Sequence, residues 1–322
     1  MRTRLSRSAQ LPLKQQSGYT LIPMDIASLN ENFGIPGVLV FEEHGELTRT
    51  VITTPSASAS IYLQGGHVAE WQPAGTAPVL FTSGNSAYKK GKAIRGGIPV
   101  IFPWFGDRHD GQPGPAHGFA RTEEWEFGFA ALAGDDLHMS LLLTPNETSR
   151  KLGFDHFRVV FHLVIGRELH LKLSVVSDAE TPLVYEEAFH TYFAVGDVRE
   201  TSVTGLHNVE YLDKRDGGAQ KTQVDDPLVL TRDTDRVYLD TQSTCVIDDK
   251  GNKRKIKVAK TNSSTTIVWN PWTELTAKMA DMEPGGWEGM ICIESANAAD
   301  ASITLAHGEI HHMGCVISVD LD

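Results

Sequence analysis

Two residues stand where proton transfer chemistry is possible. His190 lies in Phe189-His190-Thr191-Tyr192-Phe193, and Glu294 ends the apolar run Met290 to Ile293. A histidine of ordinary pKa, near ~6.5, gives and regains a proton around neutrality. A carboxylate at the end of an apolar strand is partly desolvated, which raises its pKa toward that of a useful base. Proton transfer by placed side chains typically contributes ~10²–10⁴-fold to a rate. Each residue also has a bland reading: a core histidine satisfied by a backbone carbonyl, and a strand-end carboxylate facing water.

A second group is cationic. Lys89, Lys90 and Lys92 precede Arg95 in Ala93-Ile94-Arg95-Gly96-Gly97-Ile98-Pro99, and Arg121 closes His117-Gly118-Phe119-Ala120-Arg121. A guanidinium is a planar fork that can hold two phosphate oxygens, and the glycine pair lets the backbone come close to a ligand. The formal net charge of the chain is −12, so an anionic substrate needs a local positive pocket of this kind. The bland alternative, a solvated Lys/Arg loop, suits the lysines better than the arginines.

The same net charge argues against nucleic acid as a partner, because phosphate contacts need a basic face. No run approaches the ~20 apolar residues of a membrane helix. Cys245, Cys292 and Cys315 are widely spaced, with neither a disulfide framework nor a zinc motif, which suits buried thiols in a reducing compartment. Residues 1–30 are expected to be a flexible tail, since Arg2, Arg4, Arg7 and Lys14 occur there without the apolar stretch of a secretory signal. An Arg- and Ser-rich transit peptide is the alternative for that tail. Residues 31–322 are expected to form one catalytic domain, monomeric and cytoplasmic.

The elements that must position these side chains are strands. Phe157, Val159, Phe161, Leu163 and Ile165 alternate, then Leu169, Leu171, Leu173 and Val175 follow Gly166-Arg167-Glu168, which predicts a hairpin. A second hairpin is predicted from Thr244–Ile247 and Ile256–Ala259 through Asp249-Lys250-Gly251-Asn252. Further strands are expected over 58–64, 78–82, 125–129, 137–143, 265–269, 290–293, 302–305 and 314–319. One helix is expected, with Asn270 as its cap, Pro271 in its first turn, and Trp272, Leu275 and Met279 on one face. Many strands without βαβ alternation indicate an all-β fold, a large sandwich or barrel.

Six segments in order interrupt this pattern: the Arg95 loop, Phe102-Pro103-Trp104-Phe105-Gly106, the His117 to Arg121 segment, Phe189 to Phe193, Val268-Trp269-Asn270-Pro271-Trp272, and Cys292-Ile293-Glu294-Ser295-Ala296-Asn297. Together they resemble the aldose 1-epimerase superfamily, in its hexose-6-phosphate mutarotase branch, over roughly residues 35 to 320. The resemblance implies a galactose mutarotase-like β-sandwich and interconversion of the α and β anomers of a hexose 6-phosphate by ring opening and reclosure. It gives His190 as general acid and Glu294 as general base, with roles exchanged in reverse. It gives Arg95 and Arg121 to the phosphate and Asp235 to sugar hydroxyls. It makes His117 a hydrogen-bonding group for sugar or phosphate, with a structural histidine in a Gly turn as the competing reading.

Ring opening of this kind needs neither an organic cofactor nor a metal. Trp104 and Trp272 are candidates to pack on the sugar, although large aromatics are more often core. His307 stands where the family commonly has proline, and His311-His312 follow; the cluster lacks the further spaced ligands a metal site needs. Two other functions remain open. One is an epimerase of unphosphorylated aldoses, since sugar hydroxyls also accept hydrogen bonds from Arg. The other is a non-catalytic carbohydrate-binding module, which would not need an acid opposite a base.

Overall fold

A computed structural model describes residues 24–322. The alternating segments form strands, each burying one face. Phe157–Ile165 buries every second residue and pairs antiparallel with Leu169–Ser177, with Phe161 opposite Leu173. Full burial of such side chains stabilises by ~1.5–3 kcal/mol each. The second predicted hairpin is also present: Cys245–Asp249 pairs with Arg254–Thr261, with Ile247 opposite Ile256.

These hairpins belong to a nine-stranded sheet in the order Leu228–Val229, Thr201–Thr204, Cys245–Asp249, Arg254–Thr261, Ile310–Leu321, Leu169–Ser177, Phe157–Ile165, Asp136–Leu143, Glu126–Ala133. An eight-stranded sheet runs Ala219–Thr222, Glu210–Asp213, Thr234–Tyr238, Thr265–Asn270, Met290–Asn297, Glu187–Phe189, Val100–Ile101, and Tyr192–Ala194 also pairs with Met290–Asn297. A four-stranded sheet covers Leu39–His44 to His67–Pro73, and Leu183–Tyr185 pairs with Ile303–Leu305. All these ladders are antiparallel.

The two large sheets share one apolar core. Phe161 of the nine-stranded sheet stacks on Phe189 of the eight-stranded sheet at 5.5 Å between ring centroids. Ile291 and Ile293 join that core, whereas Met290 and Cys292 pack with Tyr192 on the other side of their strand. Because successive side chains in a strand point to opposite faces, Glu294 shares the outer face with Cys292.

Four expectations need correction. Residues 26–30, assigned to the tail, lie in the helix Ile26–Phe33, which Asp25 caps through Ser28 N–H and Leu29 anchors in the core. The tail and transit-peptide readings otherwise concern residues 1–23, outside the described part. A second short helix, Glu147–Lys151, is closed by a capping box between Asn146 and Ser149.

The expected helix after Asn270 is only Trp272–Thr276, and Met279 lies beyond it. Asn270 Oδ1 does accept from Trp272 N–H at 2.8 Å, but Trp272 is left-handed at φ 52°, so the segment opens as a turn. Residues 78–82 form no ladder. Their backbone groups are divided among Trp71, Tyr192, Ala194 and Gly97, leaving isolated bridges such as Leu80 to Phe193.

Candidate functional site

His190 and Glu294 are brought together by strand register. Phe189 lies opposite Ser295 and Tyr192 opposite Cys292. The register is the same on both sides of the gap, so His190 falls opposite Glu294, and directly opposed side chains share a face. The ladder itself opens here, because His190 N–H donates to Pro99 O and Thr191 O accepts from Ile293 N–H. His190 Nδ1 lies 3.3 Å from Glu294 Oε1, and both side chains are buried. The contact is not aligned as a hydrogen bond: Nδ1 of His190 and Oε2 of Glu294 are both enclosed without a partner.

Burial sets the charge state of this pair. Desolvation holds His190 well below the usual histidine range, and the positive charge of Arg121 and Arg95 adds to that. Desolvation also pushes Glu294 well above the usual carboxylate range, with Asp235 adding to it and Arg121 opposing it. Both effects favour an uncharged His190 beside a protonated Glu294. That form contains the same number of protons as an imidazolium beside a carboxylate, so one proton can serve either partner.

The outer face around the pair is aromatic and cationic. His190 stacks on Tyr192 at 4.8 Å and 9°, with Trp269 edge-on at 6.0 Å and His117 edge-on at 5.5 Å. Arg95 Nη1 donates to Tyr192 OH at 2.9 Å, and Nη2 pairs with Asp281 Oδ2 at 3.0 Å. Arg121 follows on the turn Ala120–Thr122 and donates through Nη2 to Ala116 O at 2.8 Å. Among the described residues it makes no ion pair. Desolvation chiefly lowers the Arg121 pKa, with the charge of Arg95 adding to it, and the charges of both arginines act on the buried His190.

The loop glycines are required by close approach. Gly118 has φ 67°, and a Cβ there would lie 2.1 Å from Phe102 O. This seats His117, whose Nδ1 accepts from Gly106 N–H at 3.2 Å and whose pKa burial pushes down to about 3. Gly97 likewise would drive a Cβ to 2.3 Å from Val68 O.

Asp235, opposite Trp269 on the next strand but one from Glu294, lines a cleft of about 980 Å³ with Trp104, Phe105, His117, Glu186 and Lys214. Burial raises its carboxyl, and Arg215 lies 3.8 Å away. All six sequence-derived residues, His190, Glu294, Arg95, Arg121, His117 and Asp235, therefore belong to this outer face and its adjoining cleft.

Other expectations separate from it. Lys89, Lys90 and Lys92 are exposed, their loop pinned by the Gln64 side chain. Trp104 borders the cleft while belonging to the core, and Trp272 packs against Trp287 with the rings tilted by 39°. The histidines near the C-terminus do not converge: His311 pairs with Glu187, His312 bonds Ser174, and His307 is exposed. A different donor set does converge, as His190, Cys292 and Glu294 bring ligand atoms within 4.8 Å of one another. Asp281, Trp269, Tyr192 and Cys292 were missed as site residues. Tyr192 and Cys292 stood inside quoted motifs, two positions from His190 and Glu294, a strand spacing that could have found them.

The aldose 1-epimerase sequence model matches residues 49–318, most of the chain. The chain belongs to the aldose 1-epimerase family. Within this family it is similar to an Escherichia coli (strain K12) protein provisionally named glucose-6-phosphate 1-epimerase, 36% identical over 83% of this chain and 88% of that one. A Cenchrus ciliaris protein of the same provisional name is 33% identical over 78% of each chain. In structure, the chain is similar to YeaD of Salmonella typhimurium, a provisionally assigned mutarotase, with TM-score 0.83, 29% identity, and coverage of 88% and 94%. A galactose mutarotase-like protein of Clostridium acetobutylicum shares the epimerase fold at TM-score 0.69 and 14% identity.

Proposed function

We propose that this aldose 1-epimerase interconverts the α and β anomers of a hexose 6-phosphate, with glucose 6-phosphate the expected substrate. The observation that carries the reading is the buried His190–Glu294 pair with two guanidinium groups around it. The names of the relatives at 36% and 33% identity favour the same substrate.

In the proposed reaction Glu294 takes the proton of the C1 hydroxyl while His190 gives one to the ring oxygen. The C1–ring oxygen bond breaks, C1 becomes the aldehyde, and the pair is left as protonated Glu294 and neutral His190. Rotation about C1–C2 and return of both protons close the other anomer. Burial favours the uncharged pair that ring opening produces. Phosphate bound at Arg95 and Arg121 would offset the positive charge that depresses His190, readying it to carry the proton it must give. Asp235 and His117 would hold hydroxyls from the cleft side.

No residue outside this set is needed for the proton inventory, and the reading includes no cofactor and no nucleic-acid or membrane partner. No helix among the described residues is long and apolar enough to cross a membrane. The three cysteines are buried and free, which supports a cytoplasmic setting. A single catalytic unit acting as a monomer completes the proposal.

The test is polarimetry or NMR on freshly dissolved α-glucose 6-phosphate, with free glucose and galactose in parallel. Selective acceleration of the phosphate sugar is expected. Equal acceleration of all three would remove the phosphate assignment in favour of an epimerase of unphosphorylated aldoses. No acceleration of any would leave a carbohydrate-binding module.

A further inference from the structure

Cys292 has no part in the proton transfers above, yet it is fully buried, two residues before Glu294 on the same strand face and opposite Tyr192. With His190 and Glu294 it supplies one nitrogen, one sulfur and one oxygen ligand atom, all within 4.8 Å of each other. A tetrahedral zinc ion with ligand bonds of ~2.0–2.3 Å separates neighbouring donors by ~3.4 Å. His190 Nδ1 and Glu294 Oε1 are already at 3.3 Å. Two further facts point to an acceptor of lone pairs at this spot. Nδ1 of His190 and Oε2 of Glu294 are buried polar atoms without hydrogen-bond partners, in side chains that are more than nine-tenths buried.

We propose that His190, Cys292 and Glu294 form a three-ligand site for a thiophilic divalent cation such as zinc, which occupies the catalytic pair and inhibits the enzyme. The fourth coordination position faces the outer side of the sheet, where water would complete the tetrahedron. Binding exchanges two protons, from the Cys292 thiol and the Glu294 carboxyl, for one dication, and the protons leave to solvent. Local charge is therefore unchanged, and Arg95 and Arg121 meet no new positive charge. Thiolate, imidazole and carboxylate together favour zinc over magnesium or calcium, which take oxygen ligands. The metal is an inhibitor here, so a chelator should leave the activity of the purified full-length chain intact or raise it.

Cobalt(II) reports the site without reference to any reaction. The wild-type chain titrated with Co²⁺ should develop a thiolate-to-cobalt charge-transfer band in the near ultraviolet and tetrahedral bands in the visible, all lost when zinc is added. Cys292→Ser should lack the charge-transfer band and weaken zinc binding, measured by calorimetry, by at least the ~10–100-fold that loss of even an outer-shell partner typically costs. In the epimerase assay, which rests on the function proposed above, zinc should inhibit the wild type competitively with sugar, and whatever activity Cys292→Ser retains should be less sensitive to zinc. A wild-type cobalt complex without the thiolate band would overturn the site whether or not the variant folds. So would equal zinc affinity in wild type and Cys292→Ser. Failure to epimerise any sugar, with the cobalt spectrum present, would count against the proposed function and leave the metal site standing.

Discussion

Arg121→Ala is the perturbation that most directly tests how phosphate is held. Among the described residues the Arg121 guanidinium donates only to Ala116 O, whereas Arg95 is already engaged by Tyr192 OH and Asp281. Phosphate can therefore add charge-assisted bonds at Arg121 without breaking an ion pair. Each such bond is worth ~1.5–3 kcal/mol, or ~10- to 150-fold in affinity. The Arg95–Asp281 pair is partly exposed and worth only ~0.2–1 kcal/mol, so replacing Asp281 with Asn should lower KM by at most ~5-fold.

Initial rates of α-to-β conversion, followed by NMR across substrate concentration, should show KM for glucose 6-phosphate rising ~10- to 150-fold in Arg121→Ala. Arg121→Lys should recover only part, because a point charge lacks the fork. The phosphate is remote from C1, so kcat should change less than KM unless phosphate binding also positions the ring. Any slow turnover of free glucose should be nearly untouched. Parallel losses on glucose and glucose 6-phosphate would refute the reasoning and make Arg121 a residue of the fold or of the sugar ring.

Three further outcomes follow from particular contacts. His190→Asn and Glu294→Gln should each lower kcat by at least ~10²-fold while substrate still binds, and near-native turnover in either would remove that residue from the proton inventory. His67 is fully buried and its pKa is pushed down by burial to about 3, against ~6.5 when unfolded, so the unfolded chain binds more protons between those values. Its contribution is intact above pH ~6.5 and is lost as pH falls toward 3, by up to ~1.4 kcal/mol per pH unit. Urea midpoints should show a shallower acid loss in His67→Gln. Gly118→Ala should destabilise by ~1–3 kcal/mol or more through its left-handed backbone and the Phe102 carbonyl contact, and an unchanged denaturation midpoint would contradict the described loop.

Much of the fold was legible because its determinants are local. Period-two alternation in Phe157–Ile165 and Leu169–Ser177 specifies two strands with one buried face each, and the short link between them leaves antiparallel pairing as the simple outcome. Local pattern misleads over residues 78–82, where Val79, Leu80 and Phe81 make a short apolar run but the backbone partners lie in several distant segments. It also overextended the helix after Asn270, since propensity does not register that Trp272 takes a left-handed turn. Residues 26–30 of the helix Ile26–Phe33 read as tail because the helix is held by Leu29 in the core and by Asn30 bonding Phe41, contacts it makes only after folding.

The sequence by itself determined the strand-rich class, the acidic charge, and, through six ordered motifs, the family to which the chain belongs. It also presented His190, Glu294, Arg95 and Arg121 as residues with chemistry to do. Only the tertiary structure decided that His190 and Glu294 face each other, that Asp281 holds Arg95, and that Cys292 completes a donor set with the proposed acid and base. The physical reason is register. One shared pairing frame carries both Glu187–Phe189 and Tyr192–Ala194 along Met290–Asn297, and a slip of one residue would turn Glu294 into the core. That frame is fixed by packing against a second sheet remote in sequence, so no local pattern of residues could have disclosed it.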